Sequence, residues 1–141
     1  MAVRKNDRNR SNEGKLQVIE FSKNLISYTH DRVKSDIFPK NERWLTAKNI
    51  WDMCVGAHTS IIRANAIHVE SPDDANKRLL LEKEAIGYLD AMISLIDIIN
   101  VLGMISDDRC DFWTGLATDT QNLAKAWLKS NRLEYKEFFK Q

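Results

Sequence analysis

The chain has 141 residues, a net charge of +1 and only five Gly and two Pro. That length suits one domain with a modest core. So few turn formers exclude an all-β fold, which needs a turn every 8–12 residues or so, and the charge sets no global demand for nucleic acid or an anionic membrane. Charge is nonetheless uneven. Residues 1–40 carry nine Lys/Arg against five Asp/Glu, residues 70–111 carry four against ten, and residues 123–141 carry five against two. Two cysteines, Cys54 and Cys110, make no disulfide framework, and no apolar leader or window of about 18 uninterrupted apolar residues is present. A cytoplasmic protein with reduced thiols and no membrane segment is expected.

Residues 1–14 are polar and charged, too poor in apolar surface to repay ordering. They are expected to form a mobile basic arm ahead of a helical domain spanning 15–141. A first helix is predicted from about Lys15 to Ser35, with a stripe of Leu16, Ile19, Ser22/Lys23, Ile26 and Val33 widened by Val18, Leu25 and Tyr28. The corner Phe38-Pro39-Lys40-Asn41-Glu42-Arg43-Trp44-Leu45 follows. Pro39 fits a first helical turn, Phe38 can staple back onto the next, and Glu42 suits the positive end of the dipole.

The second helix is predicted over about Asn41 to Ile67. Trp44, Ala47, Ile50/Trp51, Cys54, His58 and Ile61/Ile62 form its stripe, and Leu45, Val55 and Ala66 a second edge. That width predicts burial on two sides, in the bundle and against another subunit, with Trp44, Trp51, Val55 and Ile62 as oligomer-interface candidates. Gly56 in mid-helix predicts a close helix approach. The run Ser71-Pro72-Asp73-Asp74 is the clearest helix start, combining an N-cap, an N1 proline and two dipole-favoured acids. A third helix is predicted from about Pro72 to Leu102, its apolar second half the most buried segment, with Gly103 as its stop. The fourth runs from about Asp108 to Trp127 and beyond, and the tail 131–141 either extends it or folds back. The predicted fold class is all-α, an antiparallel up-down-up-down four-helix bundle.

Chemistry is sparse. There is no phosphate loop, nucleophile elbow or zinc spacing, and no Glu-x-x-His pair for a di-iron site. No catalytic residue, metal site or cofactor is predicted. Cys54 and His58 share a helix face, but a single pair points to packing. His30 and His68 lie near helix ends. Asp107, Asp108 and Asp111 read as a helix start before they read as a cation site, and Asp90 and Asp97 as an exposed stripe or as partners for a basic residue of another chain. The positive signal is Lys125, Lys129, Arg132 and Lys136. Spaced four, three and four apart, they share one face of a continuous helix. Such a ridge neutralises phosphates, or is simply a solvated face favoured by the helix dipole.

Phe38-Pro39-Lys40-x-Glu42-Arg43-x-Leu45, followed by a long apolar helix, resembles the corner motif of bacterial four-helix bundle proteins. These include proteins encoded in ribosomal-RNA intervening sequences and the accessory variability determinants of diversity-generating retroelements. Leu123-Ala124-Lys125-Ala126-Trp127-Leu128-Lys129-Ser130 is similar to the fourth-helix ending of the accessory determinants. The resemblance implies a non-enzymatic homopentameric subunit that binds a reverse transcriptase and its template RNA in mutagenic cDNA synthesis. Arg43 joins the basic ridge as a candidate phosphate contact. The alternative is a protein-interaction module of the intervening-sequence type with no nucleic-acid role, which the near-zero net charge favours.

Overall fold

The computed structural model describes residues 5–34 and 38–140; the side chains of residues 5–12 and 42–44 lie outside the description. Among the described residues the chain is all-helical, with four long helices and no strand. They are α1 (Lys5–Val33), α3 (Lys48–Ala66), α4 (Pro72–Val101) and α5 (Asp107–Glu134). A short α2 (Lys40–Glu42) and a π-helical turn (Arg43–Ala47) lead into α3, and a 3-10 turn (Lys136–Phe139) follows α5. Each long helix packs on two others, in the cyclic order α1, α3, α4, α5.

Local chemistry explains the boundaries. Ser71, in extended backbone, accepts a hydrogen bond from the Asp74 N–H at 3.1 Å, with Pro72 in the first turn of α4. Ser106 does the same for Arg109 N–H at 3.2 Å, with Asp107 and Asp108 in the first turn of α5. Each cap satisfies an amide that has no partner within its helix. At the end of α4, Gly103 takes φ 78°. Its N–H reaches Asn100 O and the Met104 N–H reaches Ile99 O, both at 2.9 Å. This is the Schellman pattern, and it needs a residue that tolerates positive φ.

The core has two parts. Leu25, Phe38, Ile50, Cys54, Leu89, Met92, Ile96, Ile99 and Trp113 belong to the larger, Val18, Ile61, Ala64, Ala85, Ala124 and Trp127 to the smaller. Phe38 is buried, so the residue that opens the corner packs inward, and helix begins directly after Pro39. Polar pairs index the seams. Ser22 Oγ and His58 Nδ1 lie 2.8 Å apart between α1 and α3. Trp113 Nε1 donates to Thr29 Oγ1 at 3.1 Å between α5 and α1. Gln121 Nε2 donates to Ile86 O at 3.2 Å and to Asp90, and Cys110 Sγ to Asp97 at 3.4 Å, between α5 and α4.

Several expectations change here. The first helix, expected from about Lys15, begins at Lys5, so residues 5–14 are helical as the first turns of α1; residues 1–4 lie outside the described residues. Extending a formed helix costs far less than nucleating one. The buried face of α1 is Val18, Ser22, Leu25 and Thr29, while Leu16 is 65 % exposed. The second half of α4 is not the most buried segment: Ile98, Val101 and Leu102 are exposed, because only one stripe of the helix faces its neighbours. The π turn widens the helical path at Arg43–Ala47, and Leu45 there is 69 % exposed. Gly56 meets the expected close approach, against a side chain: a Cβ there would lie 2.8 Å from the Tyr88 ring.

Candidate functional site

The basic residues of α5 come first. Lys125, Lys129 and Arg132 are exposed, and at intervals of four and three they align along the helix. Gln121, one turn earlier, bonds to α4, so the ridge runs along the α4 flank of α5. Among the described residues none of the three has a carboxylate within 4 Å; the ion pairs involve Lys48, Lys77, Arg78 and Lys140 among the basic side chains, with His30 and His68. Lys136 is exposed but falls in the 3-10 turn beyond Tyr135, where the helical register that would align it with the ridge ends. The side chains of Arg43 and Trp44 lie outside the described residues.

The interface candidates that can be placed lie on α3 and keep exposed surface within the single chain. Trp51 and Val55 are half-buried, Trp51 stacking edge-on to His30 at 5.9 Å, and Ile62 is 40 % exposed. Other polar candidates are committed to structure. His58 meets Ser22, and burial, with Lys23 nearby, holds its imidazole below the ordinary range. Burial pushes the Cys54 thiol up to about 11, opposed by a hydrogen bond from Thr29. Cys110 is also raised to about 11, by burial and then by Asp97. Both cysteines are free, and neither is disposed to be a thiolate at neutral pH. Asp107 accepts from Asn100 Nδ2 at 2.9 Å as well as beginning α5. Asp90 and Asp97, read as a stripe or as partners of another chain, bond to Gln121 and Cys110 of the same chain. Among the described residues no group of three or more His, Cys, Asp or Glu is placed to hold a metal ion.

Sequence reasoning missed a polar cluster where α4 begins and α5 ends. Arg78 donates from Nε to Asn131 Oδ1 (3.0 Å) and from Nη1 to Ile67 O (3.3 Å). Its guanidinium lies over the rings of Trp127 (5.3 Å) and Tyr135 (5.8 Å). One turn further, Glu82 is fully buried. Its Oε2 is 3.9 Å from Arg78 Nε, and neither carboxyl oxygen has a hydrogen-bond partner among the described residues. Burial raises the Glu82 carboxyl to about 8 despite the opposing pull of Arg78. The Trp127 indole N–H is likewise buried without a partner among the described residues. Beside the cluster opens a cleft of about 360 Å³, lined by Lys15, Asn65, His68, Arg78, Glu134 and Tyr135 among others. The available signal was Glu82 occupying a stripe position of α4; nothing local marked Arg78, whose partners come from 11 and 53 residues away.

Among the described residues no helix is long and apolar enough to cross a membrane. Comparison of the chain with protein-family models, curated proteins and solved structures gives no match.

Proposed function

We propose that this chain is a non-catalytic, oligomeric RNA-binding scaffold of the cytoplasm, acting as an accessory subunit to a reverse transcriptase as the corner and fourth-helix resemblances imply. The observation that carries the reading is the ridge Lys125, Lys129 and Arg132: three aligned, exposed cations without a carboxylate partner among the described residues. Lys and Arg on a helix face meet phosphates rather than base edges, so binding is salt-dependent and weakly sequence-specific. The helices are proposed to alternate up-down-up-down. In support, residue numbers rise along one helix as they fall along its neighbour: Arg78 with Asn131, Ile86 with Gln121 and Asp97 with Cys110. Likewise Gly14 lies against Trp127, and Thr29 against Trp113.

The second reading is a protein-interaction module of the intervening-sequence type without nucleic acid. Its support is the exposed apolar set Ile98, Val101, Leu102 and Phe112 around the α4–α5 turn. A filter-binding titration with structured RNA at low and moderate salt separates the two. The scaffold reading expects binding that weakens steeply with salt. Reversing Lys125, Lys129 and Arg132 to Glu should cost about tenfold or more in affinity and reduce the salt slope by about two to three. Light scattering on the same protein should give a mass near five times the 16.3 kDa chain, the pentamer implied by the resemblance. RNA affinity unchanged by the reversals would sink the ridge, and a monomer at micromolar concentration would sink the oligomer.

A further inference from the structure

Arg78 is a nearly buried cation, its side chain 11 % exposed, whose hydrogen bonds among the described residues go to neutral acceptors, Asn131 Oδ1 and Ile67 O. Glu82, the carboxylate nearest to it in the ion-pair geometry, stands 3.9 Å from Nε, beyond hydrogen-bond reach. Two aromatic faces, the Asn131 side-chain carbonyl and one backbone carbonyl hold the guanidinium in place. Nη2 and one hydrogen of Nη1 are left with no protein acceptor among the described residues. Arg78 forms part of the wall of the 360 Å³ cleft, and Lys15 of α1 supplies a second cation to the same wall, with Asn65 and His68 as polar neighbours. A partly desolvated, pre-oriented guanidinium with a second cation beside it is a receptor for an oxyanion. Phosphate, with three acceptor oxygens, suits a wall that offers both a guanidinium fork and an ammonium, where a carboxylate offers two. Glu134, the carboxylate on the wall, accepts from Asn131 Nδ2 at 3.1 Å and retains acceptor capacity. It favours a ligand that carries a hydroxyl donor near its phosphate.

We infer that the cleft between Lys15, Arg78 and Glu134 binds a phosphate monoester on a hydroxylated carbon chain, either a small sugar-type phosphate or the terminal phosphate of an RNA. The inference stands on the cleft and does not rest on the α5 ridge. The buried Trp127 indole N–H, beneath Arg78, is its reporter. In a proton–nitrogen NMR titration of the whole chain, glycerol phosphate should shift the Trp127 indole resonance saturably at millimolar concentration, more tightly than inorganic phosphate. Lys15→Glu should weaken glycerol phosphate about tenfold, and Arg78→Lys, which keeps the charge but loses the fork, should weaken it as well. Lys77→Glu, at an exposed position paired with Asp73, should leave it unchanged. Should Arg78→Lys fail to fold, Lys15→Glu decides alone. One oligoribonucleotide with and without a terminal phosphate then separates the sources: tighter binding of the phosphorylated form assigns the RNA end, equal binding assigns the small phosphate. No saturable shift, the same shift with sodium chloride, or unaltered affinity in folded Lys15→Glu overturns the inference.

Discussion

Glu82→Gln should remove a fall in stability that the native protein shows as pH rises from about 5 to about 8. The Glu82 carboxyl titrates near its ordinary value of 4.5 when the chain is unfolded, and is raised to about 8 in the fold, chiefly by burial. Between those values the folded state keeps a proton that the unfolded state has lost. Stability from this group is therefore fully present below about pH 4.5 and declines toward pH 8, by at most roughly 1.4 kcal/mol per pH unit. Above that, Glu82 is ionised in both states and the penalty is constant. The groups acting on it come from two helices. Arg78 on α4 and Arg132 on α5 pull its affinity for the proton down, and Glu134 on α5 pushes it up, but none outweighs the loss of water. Glutamine has nearly the same shape and never ionises, so the difference in unfolding free energy between variant and native protein should grow in favour of the variant through this window. Urea unfolding at about pH 5, 6.5 and 8 measures it. Parallel profiles for the two proteins would show that Glu82 is ionised in the fold and hydrated. Glu82→Leu should be tolerated too below about pH 8, where the native carboxyl is neutral and buried without a hydrogen-bond partner among the described residues, so an apolar side chain of similar volume removes an unsatisfied polar group.

Trp113→Ala should be the most damaging single truncation in the larger core. Trp113 is 1 % exposed, donates to Thr29 Oγ1 at 3.1 Å and stands edge-on to Tyr28 at 6.1 Å. Removing a buried indole costs about 3–5 kcal/mol, through lost transfer energy and the cavity left behind. For a chain of this size that lowers the melting temperature by about 10 °C or more. Trp113→Phe refills much of the volume but withdraws the donor from Thr29, and should cost about 1–3 kcal/mol. The neighbouring Phe112 also meets Tyr28, at 5.1 Å, yet it is 57 % exposed, and Phe112→Ala should cost clearly less. Thermal unfolding of the three variants gives the order. A Phe112 effect equal to that of Trp113→Ala would mean that α5 does not present Trp113 to the core.

The number and kind of elements were legible in the sequence because helix ends are local problems. Ser71-Pro72-Asp73-Asp74, Ser106-Asp107-Asp108 and Gly103 each satisfy orphan backbone groups within a few residues, and the helices begin and end where those residues stand. The basic ridge was legible for the same reason as far as Arg132. Its extension to Lys136 assumed a helix that continues, and α5 ends before it.

Tertiary packing decided which face each helix buries. The stripe of α1 was wide enough to offer several faces, and its neighbours take Val18, Ser22, Leu25 and Thr29, matching polar groups at His58 and Trp113. The same holds for the cleft. Arg78 is one more surface-type residue in the sequence; only the approach of Asn131, Trp127 and Tyr135 from α5 and its end makes it a held guanidinium beside a buried carboxyl. Periodicity and capping are written into short stretches of chain. Burial of a charge depends on what other helices bring to it, and no single stretch contains that.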